Sequence, residues 1–354
     1  MRKADLSPKV GSYVDNLTDQ LALLVKKYNK THPKQLEPLV LSEEMTLEDV
    51  KHFGKLSKHL LFAFEQNNIP PSELKAFEEE QRKTFSENHL IEAREVLGQE
   101  NVFGPSAVEN TFGTKLETKD IPPIPFSKAE LERAKEQNQF LVLRIDKAPD
   151  GQPLTMKKMN EIMTPKFKKN NKGKVFFDTD RYKNEPFYTE ETSTIRWSLV
   201  SKEVLPDSTD KNYVKQTEVI VAHLRNNIYK DQEVPEPYKS AITEFESKKA
   251  DLTARISTDW AKVAEELESL QITILTRQTP AEAIYDTLIR FNTINTRHLP
   301  NHYAWTRSRH SDGRLVRVGD AVAVGVSVSR WNPGIGNGSL GVLFVRQFQI
   351  NLVT

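Results

Sequence analysis

Apolar residues recur every three or four positions in the first part of the chain, which is the spacing of one face of an α-helix. Two such stripes consist of Tyr13, Leu17, Leu21, Leu24 and Tyr28, and of Val50, Phe53, Leu56, Leu60 and Phe64. A third helix is predicted over residues 72–97, where Gly98 follows as a glycine C-cap. We predict a helical N-terminal module over residues 1–115, which either packs as a small domain or binds a partner.

A proline-rich, stiff segment at residues 121–125 separates this module from a region of mixed pattern. Ser127 and Glu130 have the S-x-x-E spacing of a capping box, which predicts a short helix. Strands are predicted at residues 140–146, 174–178 and 194–201, and another short helix at residues 155–163. The lysine-rich residues 166–174 are predicted to form a solvated loop, and contact with phosphate groups is the alternative.

Helical spacing returns in residues 212–229 and 237–270. The apolar residues of the second segment alternate between three- and four-residue steps, as in a heptad repeat. We therefore predict an antiparallel helical pair, inserted over residues 208–270. Thr279, Pro280 and Glu282 then have the N-cap, N1 and N3 residue types that begin a helix.

Near the end of the chain the hydrophobic period changes to two, as in a β-strand. The alternating positions are Val316, Val318, Val322, Val324, Val326 and Val328. Half of the glycines fall in the same region: Gly313, Gly319, Gly325, Gly334, Gly336, Gly338 and Gly341. This pattern predicts strands joined by turns and bulges. We expect these strands to lie beside strands that precede residue 201, because so few strands cannot bury a face alone.

The residue types also change toward the C-terminus, where the last lysine is Lys262 and the last glutamate is Glu282. Between residues 320 and 339, every residue except Trp331 can be reached from an asparagine codon by replacing its two adenines. One explanation is that glycine-rich hairpins avoid long charged side chains. The other depends on the family that this segment resembles.

The composition of the whole chain excludes several classes of function. The 354 residues carry a net charge of +1, so no global field attracts nucleic acid or an anionic membrane. The chain has no cysteine, which excludes disulfides, thiolate metal sites and a catalytic cysteine. The basic N-terminus lacks the apolar core of a secretory signal. We expect a cytoplasmic location, with surface display by another route as the alternative.

The C-terminal segment resembles the variable region of the variable proteins of diversity-generating retroelements. The residues that carry the resemblance are Tyr303, Ala304, Trp305, Thr306, Arg307, Ser308, Arg309, Ser311, Asp312, Gly313, Arg314, Leu315, Val316, Gly319, Gly325, Val326, Trp331, Pro333, Leu340, Gly341, Val342, Phe344 and Arg346. The resemblance implies a C-type lectin fold related to the formylglycine-generating enzyme. It also implies a variable-region-like segment at residues 303–348, in which adenine-specific reverse transcription alters side chains on an exposed ligand-binding surface.

We predict that this surface displays ten residues: Asp320, Ala321, Ala323, Ser327, Ser329, Arg330, Asn332, Ile335, Asn337 and Ser339. We place Trp305, Trp331, Leu340 and Phe344 in the core. Such a division makes physical sense, since surface substitutions change stability by under about half a kcal/mol, whereas core truncations cost about 2–5 kcal/mol.

Catalytic and metal-binding chemistry finds little support in the sequence. His298 and His302 have helical ligand spacing, but Pro300 interrupts the helix that they would need. Asn332 and Pro333 follow Trp331 where sugar-binding lectins have asparagine and a calcium-binding aspartate, so the carboxylate is missing. The cysteines on which the formylglycine-generating enzyme depends are absent as well. We predict no catalytic residue, no metal and no cofactor.

The sequence thus predicts an α+β protein with a C-type-lectin-like domain at residues 116–354, preceded by the all-α region. We expect a non-enzymatic binding protein whose ligand is itself a protein, without nucleic-acid binding or membrane insertion. An enzyme on the formylglycine-generating-enzyme fold is one alternative. A structural protein that forms homo-oligomers through its helical pair is another.

Overall fold

The computed structural model describes residues 86–347 of a chain that divides into two compact units, Met1–Phe85 and Ser86–Thr354. The first two predicted helices and most of the third lie outside the described residues. The end of the third is confirmed, because residues 86–97 (α1) are helical and Gly98 follows them with a φ of 90°.

The helices after α1 follow in chain order: Pro105–Phe112 (α2), Lys128–Glu136 (α3), Met156–Lys169 (α4), Pro186–Thr189 (α5), Tyr213–His223 (α6), Glu236–Arg255 (α7), Trp260–Ser269 (α8), Gln271–Thr276 (α9) and Pro280–Ile294 (α10). Both predicted capping boxes are confirmed, at Ser127 with Glu130 and at Thr279 with Glu282. The Glu282 backbone N–H donates to Thr279 Oγ1 over 3.1 Å, and the Thr279 N–H donates to Glu282 Oε2 over 3.0 Å. The chain thus specifies the start of α10 locally.

The strands are Val102–Phe103 (β1), Gln139–Arg144 (β2), Arg196–Ser201 (β3), Tyr303–Arg309 (β4), Leu315–Val322 (β5), Gly325–Trp331 (β6), Leu340–Gly341 (β7) and Val345–Arg346 (β8). They form two four-stranded sheets with the orders β1-β2-β3-β8 and β6-β5-β4-β7, which we call the N-terminal and C-terminal sheets. The fold is therefore α+β, with helices packed against two small sheets.

The last strand returns to the N-terminal sheet. In β8, Val345 lies opposite Val200 and Arg346 opposite Leu199, both in β3. The prediction that C-terminal strands lie beside strands preceding residue 201 is confirmed for β8 alone. The valine-rich strands β5 and β6 instead belong to the separate C-terminal sheet. Along the chain, the strands of the C-terminal sheet lie between α10 and β8. Because α10 packs in the main core and β8 pairs with β3, the chain is anchored before and after this sheet.

Two hydrophobic clusters stabilise this arrangement. The main core lies between the N-terminal sheet, α10 and one face of the C-terminal sheet, and it includes Phe140, Ile284 and Val318. The second core lies under α6–α9 and includes Phe245 and Trp305. The predicted helical pair therefore packs against the C-terminal sheet through an apolar interface of its own.

Several boundaries differ from the sequence prediction. The unit boundary lies after Phe85 rather than at residue 115, because β1 pairs with β2 and α2 packs on α10. The predicted helix over residues 237–270 is two helices, since the turn-forming Ser257, Thr258 and Asp259 interrupt it after α7. The apolar repeat continued across this turn and concealed it.

The region of residues 166–178 also differs. Helix α4 extends through Lys169, so the first part of the predicted lysine-rich loop is helical. Residues 174–178 form no regular strand, and Phe176 makes a single parallel bridge to Val326 of β6. Gly325 permits this close approach, because a Cβ there would lie 2.2 Å from the carbonyl carbon of Phe176.

Candidate ligand-binding surface

The register of β4, β5 and β6 gives the C-terminal sheet an apolar inner face. Ala304, Val318 and Val328 lie opposite one another and are buried in the main core, together with Val316 and Val326. Four of the six alternating valines thus fill the core from one side of the sheet, whereas Val322 is half-buried and Val324 is 51% exposed in the turn between β5 and β6. Because successive residues of a strand point to opposite faces, the neighbouring row belongs to the outer face.

That outer row consists of Trp305 in β4, Arg317 in β5 and Ser329 in β6. Helix α6 covers one end of the outer face, where the Trp305 ring lies 5.4 Å from the ring of Tyr213. The other end is only half-buried. We call its residues the outer-face patch: Tyr303, Arg317, Ser327, Ser329 and Trp331.

Arg317 lies at the centre of the outer-face patch between two aromatic rings. The guanidinium carbon is 4.3 Å from the centre of the Tyr303 ring and 4.5 Å from that of Trp331. Its Nε donates a hydrogen bond to Ser329 Oγ over 2.8 Å. Two cation–π contacts and this hydrogen bond fix the plane of the side chain.

Tyr303 joins this stack to Asp320. The Tyr303 hydroxyl donates to Asp320 Oδ2 over 3.2 Å. Burial raises the pKa of Tyr303, a hydrogen bond with Ser327 opposes the shift, and the nearby Asp320 raises it further. Tyr303 therefore stays neutral at physiological pH and remains a hydrogen-bond donor at the edge of the patch.

A bulge in β5 places Asp320 outward and Ala321 inward. The pairing with β6 shifts between Gly319 and Val322, and Asp320 adopts a left-handed φ of 46°. Gly319 is required just before the bulge, because a Cβ there would lie 2.0 Å from the carbonyl oxygen of His302. The prediction that Ala321 is displayed is therefore wrong, since the extra residue reverses the alternation and buries Ala321 in the main core.

The other predicted display positions in the strands divide into three groups. Ser327 and Ser329 belong to the outer-face patch, where both are half-buried. Ala323 is exposed in the turn between β5 and β6, where its carbonyl accepts a hydrogen bond from the Lys174 N–H. Arg330 belongs to the opposite side of β6 and forms an ion pair with Asp312, so the patch does not include it.

The remaining four positions lie in the loop that follows β6. The Asn332 side chain accepts a hydrogen bond from the Gly334 N–H over 2.8 Å, and that of Asn337 accepts one from the Ser339 N–H over 2.9 Å. Both asparagines therefore stabilise turns through their own side chains. Ile335 is 53% exposed and is the principal apolar side chain that this loop presents to solvent.

The four predicted core residues behave differently from one another. Trp305, Leu340 and Phe344 are buried, as predicted. Trp331 is half-buried and packs against the edge of the second core, so its placement in the core was only partly correct. Its indole Nε1 donates to the carbonyl oxygen of Ile335 over 3.0 Å, which holds the ring at the surface.

Sequence reasoning missed Tyr303 and Arg317, the partners of Trp331 in the patch. The signal for Arg317 was present, because it is the polar position between Val316 and Val318 and therefore faces away from the core. Its pairing with two aromatic rings depended on the strand register, which one sequence does not specify.

Of the two histidines with helical ligand spacing, His298 and His302, the first lies in the protein interior. His298 is buried, and its Nε2 lies 3.1 Å from the carbonyl oxygen of Ser201. Burial and the nearby Arg290 lower the pKa of His298 to about 3, so the ring is neutral. Across residues 86–347, no cluster of three or more histidine and carboxylate side chains has metal-binding geometry. Within the same range, every helix is too short or too polar to cross a bilayer.

Comparisons of the chain with protein-family models, with curated proteins and with solved structures gave no match.

Proposed function

We propose that this protein is a non-enzymatic binding protein whose ligand docks on the outer-face patch and the loop of residues 332–339. Within this proposal it is a variable protein of a diversity-generating retroelement, with a C-type lectin fold at residues 116–354. The observation that carries the proposal is the half-exposed stack of Tyr303, Arg317 and Trp331 beside small serine side chains.

The composition of the patch supports a binding role. Tryptophan, tyrosine and arginine are the residue types that dominate binding energy at protein interfaces. Here they are already ordered, because Arg317 is stacked on both rings and bonded to Ser329. A partner would therefore bind without the entropic cost of ordering these side chains, which amounts to about 0.5–1.5 kcal/mol for each flexible one.

The frame under the patch supports diversification. Ser327 and Ser329 have outward side chains, whereas their neighbours Val326 and Val328 are buried in the main core. Outward-facing strand positions of this kind tolerate substitution with little effect on stability, although Ser329 also supplies the acceptor for Arg317 Nε. The residues that hold the sheet and the residues that meet the ligand are therefore largely separate sets.

The retroelement assignment is tested by the genes that surround this gene and by its sequence in many cells of one lineage. We expect a reverse transcriptase gene nearby and a near-copy of the 3′ coding end that differs at adenines. Sequencing of residues 303–348 from many cells of one lineage should give substitutions concentrated at codons for residues 320–339, including those for Ser327 and Ser329. Uniform sequences, with neither a near-copy nor a reverse transcriptase gene, would contradict the assignment.

A further inference from the structure

We infer that the outer-face patch recognises a carboxylate-bearing segment of a partner protein, and that Arg317 binds this carboxylate. The inference rests on the proposed function, because it names the chemistry of the ligand that the same surface would bind.

The guanidinium of Arg317 has no carboxylate partner of its own. Among the residues that the structure describes, no acidic side chain lies within 4.0 Å of it. Neighbouring arginines differ: Arg309 is paired with Glu268, and Arg330 with Asp312. Asp320 attracts Arg317 from beyond ion-pair distance, so Arg317 is a fixed positive charge without a direct carboxylate contact.

The geometry leaves the terminal nitrogens of Arg317 for that ligand. The Nε is bonded to Ser329 Oγ over 2.8 Å, which is the one hydrogen bond that Arg317 makes to residues 86–347. Both Nη atoms are left without a hydrogen bond to residues 86–347, and the side chain as a whole is half-exposed. Two adjacent Nη groups on a planar guanidinium match the two oxygens of a carboxylate.

The surroundings favour one carboxylate over a polyanion. Asp320, which accepts the hydrogen bond from Tyr303, puts a negative charge at the edge of the patch. A chain of phosphates would bring several negative charges near Asp320 but would meet one unpaired guanidinium in the outer-face patch, whereas nucleic-acid binding draws on several cations. A single aspartate or glutamate beside an apolar side chain would fit, because the tyrosine and tryptophan rings and the exposed Ile335 offer apolar contacts.

The test uses the full chain, immobilised, and a phage-displayed library of random dodecapeptides as the probe. We expect the selected peptides to be enriched in aspartate and glutamate. Binding of the best peptide should fall about tenfold or more with Arg317→Lys, which keeps the charge but loses the two-point geometry. Replacing the peptide's acidic residue with its amide should cause a similar loss.

Arg330→Lys is the matched control and should bind like the parent, and thermal unfolding checks that each variant is folded.

The outcomes separate the inference from the proposed function. Selected peptides that lose binding with Trp331→Ala would show that the patch binds ligands. If these peptides carry no excess of acidic residues and bind Arg317→Lys as they bind the parent, the carboxylate inference is wrong. If the parent enriches no peptide over a Trp331→Ala protein that is folded, the binding function and the inference are both contradicted. Enrichment of oligonucleotides instead, in a parallel selection, would also overturn the carboxylate assignment.

Discussion

The guanidinium of Arg144 in β2 forms a two-point ion pair with the carboxylate of Asp286 in α10, 142 residues later in the chain: Nε lies 3.1 Å from Oδ1, and Nη2 lies 2.6 Å from Oδ2. Both side chains are fully buried. Gln278 also donates a hydrogen bond to Asp286. The buried carboxylate of Glu282 lies between Arg144 and Arg196 and forms an ion pair with each of them. This network joins the N-terminal sheet to the helix that leads into the C-terminal sheet.

Asp286→Asn should destabilise the protein strongly, because it removes the charge that compensates a buried guanidinium. We expect a loss of about 3–5 kcal/mol in the free energy of unfolding, measured by urea denaturation. Asp231→Asn is the control, since Asp231 pairs with Arg133 but is 68% exposed. That surface pair should contribute under about 1 kcal/mol. Equal effects of the two substitutions would show that the buried network does not hold α10 in place.

Glu191 should make stability depend on pH near neutrality. Burial raises the pKa of Glu191 to about 7 from an ordinary value of 4.5, although a hydrogen bond from Ser308 and the charge of Arg307 oppose the shift. The folded protein therefore binds more protons than the unfolded chain between these two values, so stability falls as the pH rises through this window.

Glu191→Gln removes that titration, and the variant should gain stability relative to the parent as the pH rises from 5 to 8. We expect a relative gain of up to about 2 kcal/mol, measured from urea midpoints at several pH values. The exposed neighbour Glu190, replaced with glutamine, serves as the control and should follow the parent. A stability of Glu191→Gln relative to the parent that falls between pH 5 and pH 8 would show that the carboxylate is favoured in the folded state.

The two tryptophans of the C-terminal sheet should differ in their contributions to stability. Trp305→Ala removes a ring that is 2% exposed and should cost about 3–5 kcal/mol. Trp331→Ala removes a half-buried ring at the surface and should cost about 1–2 kcal/mol. Thermal unfolding of both variants beside the parent measures the difference. Losses of the same size would place Trp331 in the core, as the sequence alone suggested.

Display positions should not be equally tolerant. Ser327→Thr and Ser329→Thr together should leave the free energy of unfolding within about 0.5 kcal/mol of the parent, because both side chains point outward and threonine keeps the hydroxyl that accepts from Arg317 Nε. Asn337→Ala should cost about 1 kcal/mol, since it removes the side-chain acceptor for the Ser339 N–H and hydroxyl. Urea denaturation measures both. Should the serine pair prove the costlier change, the strand and not the loop would limit diversification.

Local patterns predicted much of this fold. The alternation of valines gave the inner face of the C-terminal sheet, and the spacing of Thr279 and Glu282 gave the start of α10. These features depend on residues only a few positions apart, so the sequence contains their full cause.

Features that depend on distant parts of the chain could not be predicted in this way. The bulge that buries Ala321 depends on how β5 pairs with β6, and the ion pair of Arg144 with Asp286 joins residues 142 positions apart. Arg317 was identifiable as outward-facing, but its place between Tyr303 and Trp331 followed from the register of three strands.

Because β8 returns to β3, the number of residues in the strands of the C-terminal sheet is more constrained than their amino-acid composition. Val345 must arrive opposite Val200, and Tyr303 must start β4 beside Leu340, so both ends of the C-terminal sheet have fixed positions. One inserted or deleted residue within a strand would turn the following inward side chains to the outside. The strands of this sheet can therefore accept many amino-acid substitutions, but the number of residues in each strand must stay constant. Any process that diversifies them has to substitute nucleotides without inserting or deleting any.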